Sequence, residues 1–287
     1  MKIAVLSGKG GTGKTFIATN MAAVAQESTY VDCDVEEPNG HLFLRPKEVQ
    51  VKSVTVPIPV VNEALCNGCR KCVDFCRFGA LAYTGRGLIV LDDICHSCGG
   101  CVLLCPENAL TERKKTVGEI HEGVSRSIKC ITGVLHPGEA SGVPVISKLL
   151  QGLDQVPTPV LIDCPPGSAC TVMESIRDAD YCILVAEPSL FGVHNLAMVW
   201  ELVQLFQKPY GVVLNKCLPG DNPAETFCCE REIKILARIP FSHGLGFMNS
   251  QGIVAVWEDR SLHTLFAGLL ERVAKEVQRE YEAVAYP

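Results

Sequence analysis

Cys66, Cys69, Cys72 and Cys76 follow the spacing C-x2-C-x2-C-x3-C, and Cys95, Cys98, Cys101 and Cys105 repeat it 29 residues later. Two-residue gaps bring three thiolates into one tight loop, with the fourth ligand supplied from elsewhere, an arrangement suited to a [4Fe–4S] cluster. Upstream, Gly8-Lys9-Gly10-Gly11-Thr12-Gly13-Lys14-Thr15 directly follows the apolar run Lys2–Leu6. Glycines in such a loop let the N–H groups of Gly10, Gly11, Thr12, Gly13, Lys14 and Thr15 converge on phosphate, and a following helix adds its positive end. In this Walker A pattern Lys14 is placed to reach the β- and γ-phosphates and Thr15 to ligate Mg²⁺ through its hydroxyl. One chain therefore carries the residue patterns for two [4Fe–4S] clusters and for ATP with Mg²⁺.

Zinc is the competing metal. It favours paired C-x2-C knuckles at longer separations, and two tandem runs of this spacing would crowd such sites. The chain has 16 cysteines and no apolar N-terminal stretch of signal-peptide length, which points to metal or redox chemistry rather than disulfides. Eight cysteines lie outside the runs: Cys33, Cys130, Cys164, Cys170, Cys182, Cys217, Cys228 and Cys229. Their spacing matches no common metal site, and buried structural thiols are expected for most.

Composition bounds the rest. At 287 residues the chain can bury one large core or two modest ones. A hydrophobic share of 47% and a charged share of 20% are those of a soluble globular protein. The net charge of −6 argues against nonspecific binding to nucleic acid or an anionic membrane. No apolar stretch reaches membrane-spanning length, so no stable membrane association and a cytoplasmic location are expected.

Short apolar runs alternate with helical patterns. Lys2–Leu6, Tyr30–Cys33, Pro159–Asp163, Tyr181–Ala186, Gly211–Leu214 and Ile235–Ile239 read as buried strands, and Phe191–Phe206 as the clearest helix. That rhythm predicts an α/β fold with a mostly parallel sheet and helices on both faces. A last helix, roughly 261–283, carries Leu262, Leu265, Phe266, Leu269, Leu270, Val273 and Val277 on one stripe for docking on the sheet. The rhythm fails at 60–115. There the repeat extends beyond the cysteines, with Val73, Phe75, Ala80 and Leu81 matching Val102, Leu104, Ala109 and Leu110. Residues 60–115 thus read as a small inserted domain with internal twofold symmetry, flanked by 1–59 and 116–287. Val117–Leu135 alternates loosely, as a hairpin leading back would.

Lys9 sharpens the loop. Lys9-Gly10-Gly11-Thr12-Gly13-Lys14-Thr15 resembles the deviant Walker A of the ParA/MinD family of P-loop ATPases. Asp32-Cys33-Asp34 with Pro38-Asn39 resembles that family's switch I. Leu161-Ile162-Asp163-Cys164-Pro165-Pro166-Gly167 resembles its Walker B and switch II. Glu187-Pro188-Ser189-Leu190-Phe191-Gly192 and Leu214-Asn215-Lys216 also fall where the family's segments do. The resemblance implies a MinD-like fold and ATP hydrolysis, with Lys9 reaching the partner subunit's phosphates in a nucleotide-dependent dimer. It also implies that Asp34 positions water, that Asp163 holds the Mg²⁺ shell with Thr15, and that Asn215 recognises adenine. The partner subunit is a second copy or a paralogous ATPase.

The insert resembles a bacterial two-cluster ferredoxin of α+β type, in which the fourth cysteine of each run ligates the other cluster. That implies Cys66, Cys69, Cys72 and Cys105 for the first cluster and Cys95, Cys98, Cys101 and Cys76 for the second. Cys105-Pro106 matches the usual ending, whereas Arg77 replaces proline after the first run. Residues 62–115 hold seven Lys or Arg against six Asp or Glu, and Arg70, Lys71 and Arg77 flank ligands, where positive charge favours the reduced cluster.

The combination is similar to ATPases associated with orange-protein (molybdenum–copper cluster) complexes. ATP-gated electron transfer to a redox or metallocluster protein is the leading expectation. A carrier that delivers an iron–sulfur or other metal cluster is the second, with Cys164 or Cys228-Cys229 as labile ligands. A redox-sensing MinD-like positioning switch is the third, and it lacks a visible basic amphipathic segment.

Overall fold

Ile3 and Val5 face one side of the first strand, β1 (Lys2–Leu6), while Ala4 and Leu6 face the other, and all four are fully buried. A strand apolar on both sides must lie in a sheet covered on both faces. The computed structural model of the chain describes residues 1–285 and shows that sheet. After β1 come α1 (Lys14–Val24), β2 (Ser28–Asp32), α2 (Gly40–Leu44) and β3 (Lys47–Val61). Next are α3 (Lys71–Phe75), β4 (Leu81–Tyr83), β5 (Leu88–Val90), α4 (Gly100–Leu103), β6 (Leu110–Ser125) and β7 (Ile128–Leu135). The chain continues through α5 (Val143–Leu150), β8 (Val160–Asp163), α6 (Cys170–Ile176), β9 (Tyr181–Ala186), α7 (Leu190–Leu205) and β10 (Tyr210–Cys217). It ends with α8 (Pro223–Glu230), β11 (Ile235–Pro240), α9 (His243–Ser250) and α10 (Arg260–Ala285).

Nine strands form one sheet in the order β11-β10-β9-β1-β8-β2-β7-β6-β3, parallel from β11 to β7. Helices α5, α6, α7 and α8 supply Val145, Ile146, Val172, Val199 and Phe227 to one face. Helices α1 and α10 cover the other with Ile17, Met21, Phe266, Leu269 and Val273. The mostly parallel α/β sheet with two helical layers is therefore present, and the apolar stripe of α10 docks on it.

The far edge differs in direction. β6 runs antiparallel to β7, and β3 runs antiparallel to β6 from Lys47↔Val124 to Val61↔Leu110. The Val117–Leu135 alternation is accordingly a hairpin. β3 has no counterpart among the sequence-derived strands, because Pro57 and Pro59 interrupt its pattern. Proline has no N–H for a ladder and is tolerated on an edge strand, which is where β3 lies. Its inward residues Val54, Val56 and Ile58 still join the core.

Residues 62–109, between β3 and β6, carry both cysteine runs, the short helices α3 and α4, and the two-stranded pair β4–β5. The 29-residue repeat extends to the backbone. Gly68 and Ser97 have φ 73° and 53°, Arg70 and Gly99 have 62° and 70°, and Gly79 and Asn108 have 68° and 52°. Lys115 ties this segment to the main body, its Nζ lying 2.9 Å from Asp93 and 2.9 Å from Glu139. Arg113 pairs with Asp92 beside it. No helix among the described residues is long and apolar enough to cross a membrane.

The α10 layer rests on Phe266, fully buried and edge-on to Phe16 at a 5.8 Å centroid separation. Phe266→Ala leaves a cavity between α10 and α1 and is expected to cost about 3–5 kcal/mol of stability. Urea unfolding of wild type and variant checks it.

Candidate functional site

β1, β2 and β8 are neighbours, so Leu6, Asp32 and Asp163 end side by side at one edge of the sheet. The loop from β1 to α1 bends over that edge through Gly11 and Gly13 at φ 78° and 99°, a region that side chains disfavour. A Cβ on Gly13 would also stand 2.3 Å from Asn215 Nδ2. Lys14 begins α1 and is buried. A cleft of about 650 Å³ opens beside it, bordered by Gly10, Gly13, Lys14, Thr15, Asp34 and Pro165.

Carboxylates crowd this cleft. Asp32 accepts hydrogen bonds from the Asp34 N–H at 3.2 Å and the Gly40 N–H at 2.9 Å, which clamps the segment between them. Burial, then the neighbouring Asp163, push the Asp32 carboxyl well above the usual carboxylate range. Burial also raises Asp163, against the opposing Lys14 charge and the Thr15 and Tyr30 hydroxyls. Tyr30 donates its hydroxyl to Asp163 Oδ2 at 2.9 Å, while the buried Oδ1 has no hydrogen-bond partner among the described residues. An orphaned carboxylate oxygen near the Thr15 hydroxyl is a donor set that fits Mg²⁺, which takes hard oxygen ligands. Burial lifts Asp34 to about 6, with Lys14 opposing the rise.

Two further predicted residues sit differently from their implied roles. Lys9 Nζ pairs with Glu187 of its own chain at 2.9 Å and lies 5.1 Å from the Phe191 ring centroid. Asn215 donates through Nδ2 to the Thr12 carbonyl at 2.8 Å and accepts from the Lys216 N–H, so its amide braces the phosphate loop from below. Lys216 adds a bond to the Gly11 carbonyl at 2.7 Å and meets Glu187 at 3.2 Å. Burial would raise Glu187, but the two lysines outweigh it and hold its carboxyl below the usual range. Tyr30, Asp32 and Glu187 escaped the sequence reading as site residues. The Asp32-Cys33-Asp34 and Glu187–Gly192 segments carry two of them, with no role attached to either residue.

The eight motif cysteines fall into two groups. Cys66, Cys69, Cys72 and Cys105 border one cavity, and Cys76, Cys95, Cys98 and Cys101 border another. Each group thus takes three cysteines from one run and the fourth from the other. Cys72 and Cys101 are the buried members; burial, then charge at Cys95 and Cys98, pushes the Cys101 thiol up to about 11. The Ala109 N–H points at Cys105 Sγ at 3.3 Å and the Ser97 N–H at Cys95 Sγ at 3.5 Å. Among the described residues, no three or more His, Cys, Asp or Glu side chains are grouped as a single metal ion needs. Outside the runs, Cys33, Cys130, Cys164, Cys182 and Cys228 are buried, whereas Cys170 and Cys229 are exposed.

Asp34 yields a pH prediction. Its carboxyl titrates near 3.8 when unperturbed and near 6 in the fold, so the folded protein binds the extra proton between those values. Stability without nucleotide therefore falls as pH rises from about 4 to about 6. Asp34→Asn should remove part of that fall and gain on the order of 1 kcal/mol at pH 7 relative to pH 4, after discounting for partial solvent screening. Urea titrations at the two pH values measure it; an unchanged difference would contradict the assignment.

The family model for the CobQ/CobB/MinD/ParA nucleotide binding domain matches residues 3–253. The Methanocaldococcus jannaschii protein MJ0578 is 31% identical over 221 residues, covering 75% of this chain and 78% of that protein. MJ0579 of the same organism is 28% identical over 221 residues, covering 75% and 80%. One component of the ion-translocating oxidoreductase complex of Methanosarcina acetivorans is 43% identical over 56 residues, 20% of this chain and 21% of that component. Among solved structures, septum site-determining protein MinD from Pyrococcus horikoshii, complexed with Mg-ADP, superposes with a TM-score of 0.60 at 18% identity, covering 95% of each chain. The Pyrococcus furiosus cell division ATPase MinD gives 0.60 at 18% identity, covering 96% of this chain and 98% of its own. At such identities the structures speak for the fold alone.

Proposed function

The chain belongs to the CobQ/CobB/MinD/ParA family of nucleotide-binding proteins, and we propose that it couples ATP-driven pairing of subunits to electron transfer through two [4Fe–4S] clusters. Residues 1–59 and 116–287 would form the ATPase and 60–115 the inserted two-cluster ferredoxin domain of a cytoplasmic protein. The grouping of the eight cysteines carries the cluster reading. Tandem runs of this spacing suit crossed ligation, and Cys76 and Cys105 each border the cavity of the opposite run. A cubane also spaces its thiolates more widely than one ion does, so a compact single-ion group is not what this donor set calls for. When bound, the clusters would supply one-electron storage.

The chain's own groups divide the remaining work. Lys14 and the N–H groups of Gly10–Thr15 bind phosphate, Thr15 and Asp163 hold Mg²⁺, and Asp34 orients the attacking water. Asn215 holds the phosphate loop in shape and, by family resemblance, contacts adenine. Lys9 must leave Glu187 to reach a partner subunit, and Glu187 keeps Lys216 at 3.2 Å as its second cation when Lys9 departs. The partner ATPase is a second copy or a paralogue.

A contiguous set of contacts links the two halves. Val35 borders the nucleotide cleft, and its carbonyl accepts from the Leu135 N–H at 2.8 Å. The loop after Leu135 carries Glu139, which meets Lys115, which in turn meets Asp93 two residues before Cys95. Movement of the switch at Asp34–Asn39 would therefore bear on the second cluster's ligands. The buried Cys164 and Cys228 thiols, raised by burial, are poor labile ligands, which disfavours a cluster carrier.

Two expectations test the proposal. Anaerobically purified protein should be brown with about eight iron atoms per chain, and Cys76→Ser should lower the EPR signal of the second cluster rather than the first. Colourless, iron-free protein would sink the cluster reading. Lys9→Ala should keep nucleotide affinity within about threefold while reducing ATP turnover by about 10³-fold, in line with a cation supplied in trans. Turnover equal to wild type would refute the cross-subunit role.

A further inference from the structure

Resting on that cluster reading, we infer that the surface around α3 docks a small acidic electron-carrier protein. The internal repeat supplies the control. Arg70, Lys71 and Arg77 occupy positions that the second repeat fills with Gly99, Gly100 and Pro106. The backbone is the same at the first of these, with φ 62° at Arg70 and 70° at Gly99. The repeat unit therefore folds without cations at these positions, and their presence in one copy alone calls for a reason outside folding.

Nor are they neutralised within the chain. Asp92 and Asp93 are paired with Arg113 and Lys115, whereas Arg70, Lys71 and Arg77 are all exposed and have no carboxylate within 4.0 Å among the described residues. Asp74 is the single acidic residue between them in the sequence, and Glu107 and Glu112, which border the same cavities as Arg70 and Arg77, form no ion pair with them, on a chain of net charge −6. Apolar side chains share the surface: Phe75, Phe78 and Leu104 are exposed, and Leu103 is 86% exposed. The end of α3 abuts the start of α4, since a Cβ on Gly100 would meet the Phe75 ring at 2.2 Å.

The patch lies where electrons would enter or leave. Arg70 borders the first cysteine cavity and Arg77 the second, and Cys69 beside Arg70 is an exposed ligand position. Exposed apolar side chains together with unpaired cations suit a brief encounter with an acidic protein, because complementary charge raises the association rate without requiring a large interface. One electron crosses per encounter, oxidising the carrier by one and reducing the cluster by one, with no group transferred.

The test uses full-length protein prepared without air, a labelled acidic two-cluster ferredoxin as probe and basic cytochrome c as control. The variant Arg70→Gly, Lys71→Gly, Arg77→Pro installs the residues that the second repeat already carries. Arg70→Gln with Arg77→Gln provides a second variant that preserves side-chain length. The ferredoxin is expected to associate with wild type, with a rate that drops about tenfold in the triple variant and about tenfold between roughly 50 and 300 mM salt. Equal rates in wild type and both variants would overturn the proposal, as would cytochrome c binding as well as ferredoxin. A short single-stranded DNA binding more tightly than ferredoxin would assign the patch to nucleic acid instead. Iron content separates the layers: iron-free protein that still binds supports the docking surface and refutes the clusters, whereas iron-loaded protein that ignores ferredoxin refutes the docking alone.

Discussion

Among the described residues, Lys14 is the one buried cation set against the carboxyls of Asp34 and Asp163, with Asp32 immediately behind them. Without it, three neighbouring acids at the end of the sheet would have to shed charge, and all three are already pushed toward the protonated form. Such a site is unstable to its own charge and suited to a divalent cation with a polyphosphate, which together would relieve the repulsion. The parallel order β1-β8-β2 forces these groups together, because strands that run the same way end at the same edge. Tyr30 and Asn215 then fix the acids and the loop in place from within the core.

The antiparallel extension gives the sheet its second role. β3 and β6 leave the core as one two-stranded arm, so the cysteine-bearing residues are joined to the ATPase by a paired ladder rather than by flexible linkers. Val90 and Cys95 even pack against the main core. Under the proposed coupling, a paired root of this kind would pass a displacement on instead of absorbing it, and the Lys115 ion pairs would offer a second route.

Much of this was legible in residue order. Buried parallel strands such as Tyr181–Ala186 announce themselves as short apolar runs, and the glycines of the phosphate loop stand where a helix N-terminus needs them. The 29-residue period in the cysteines predicted a symmetry that the positive-φ positions repeat. What was hidden depends on strand neighbours. Tyr30 reads as an ordinary apolar-strand aromatic, and only the pairing of β2 with β8 aims its hydroxyl at Asp163. Glu187 opens a segment that matches the family, but its order in the sequence does not show that Lys9 and Lys216 converge on it. β3 was masked by its prolines and by the exposed residues Lys47–Ser53, which carry no core pattern.

If the proposed coupling holds, a nucleotide at Lys14 alters the proposed clusters across the β3–β6 arm. A redox titration of air-free protein, followed by EPR with and without Mg²⁺ and a non-hydrolysable ATP analogue, addresses it directly. Coupling requires at least one cluster's midpoint potential to move when the analogue binds. Identical potentials in both states, with the analogue shown to be bound, would leave the ATPase and the cysteine module as independent neighbours on one chain.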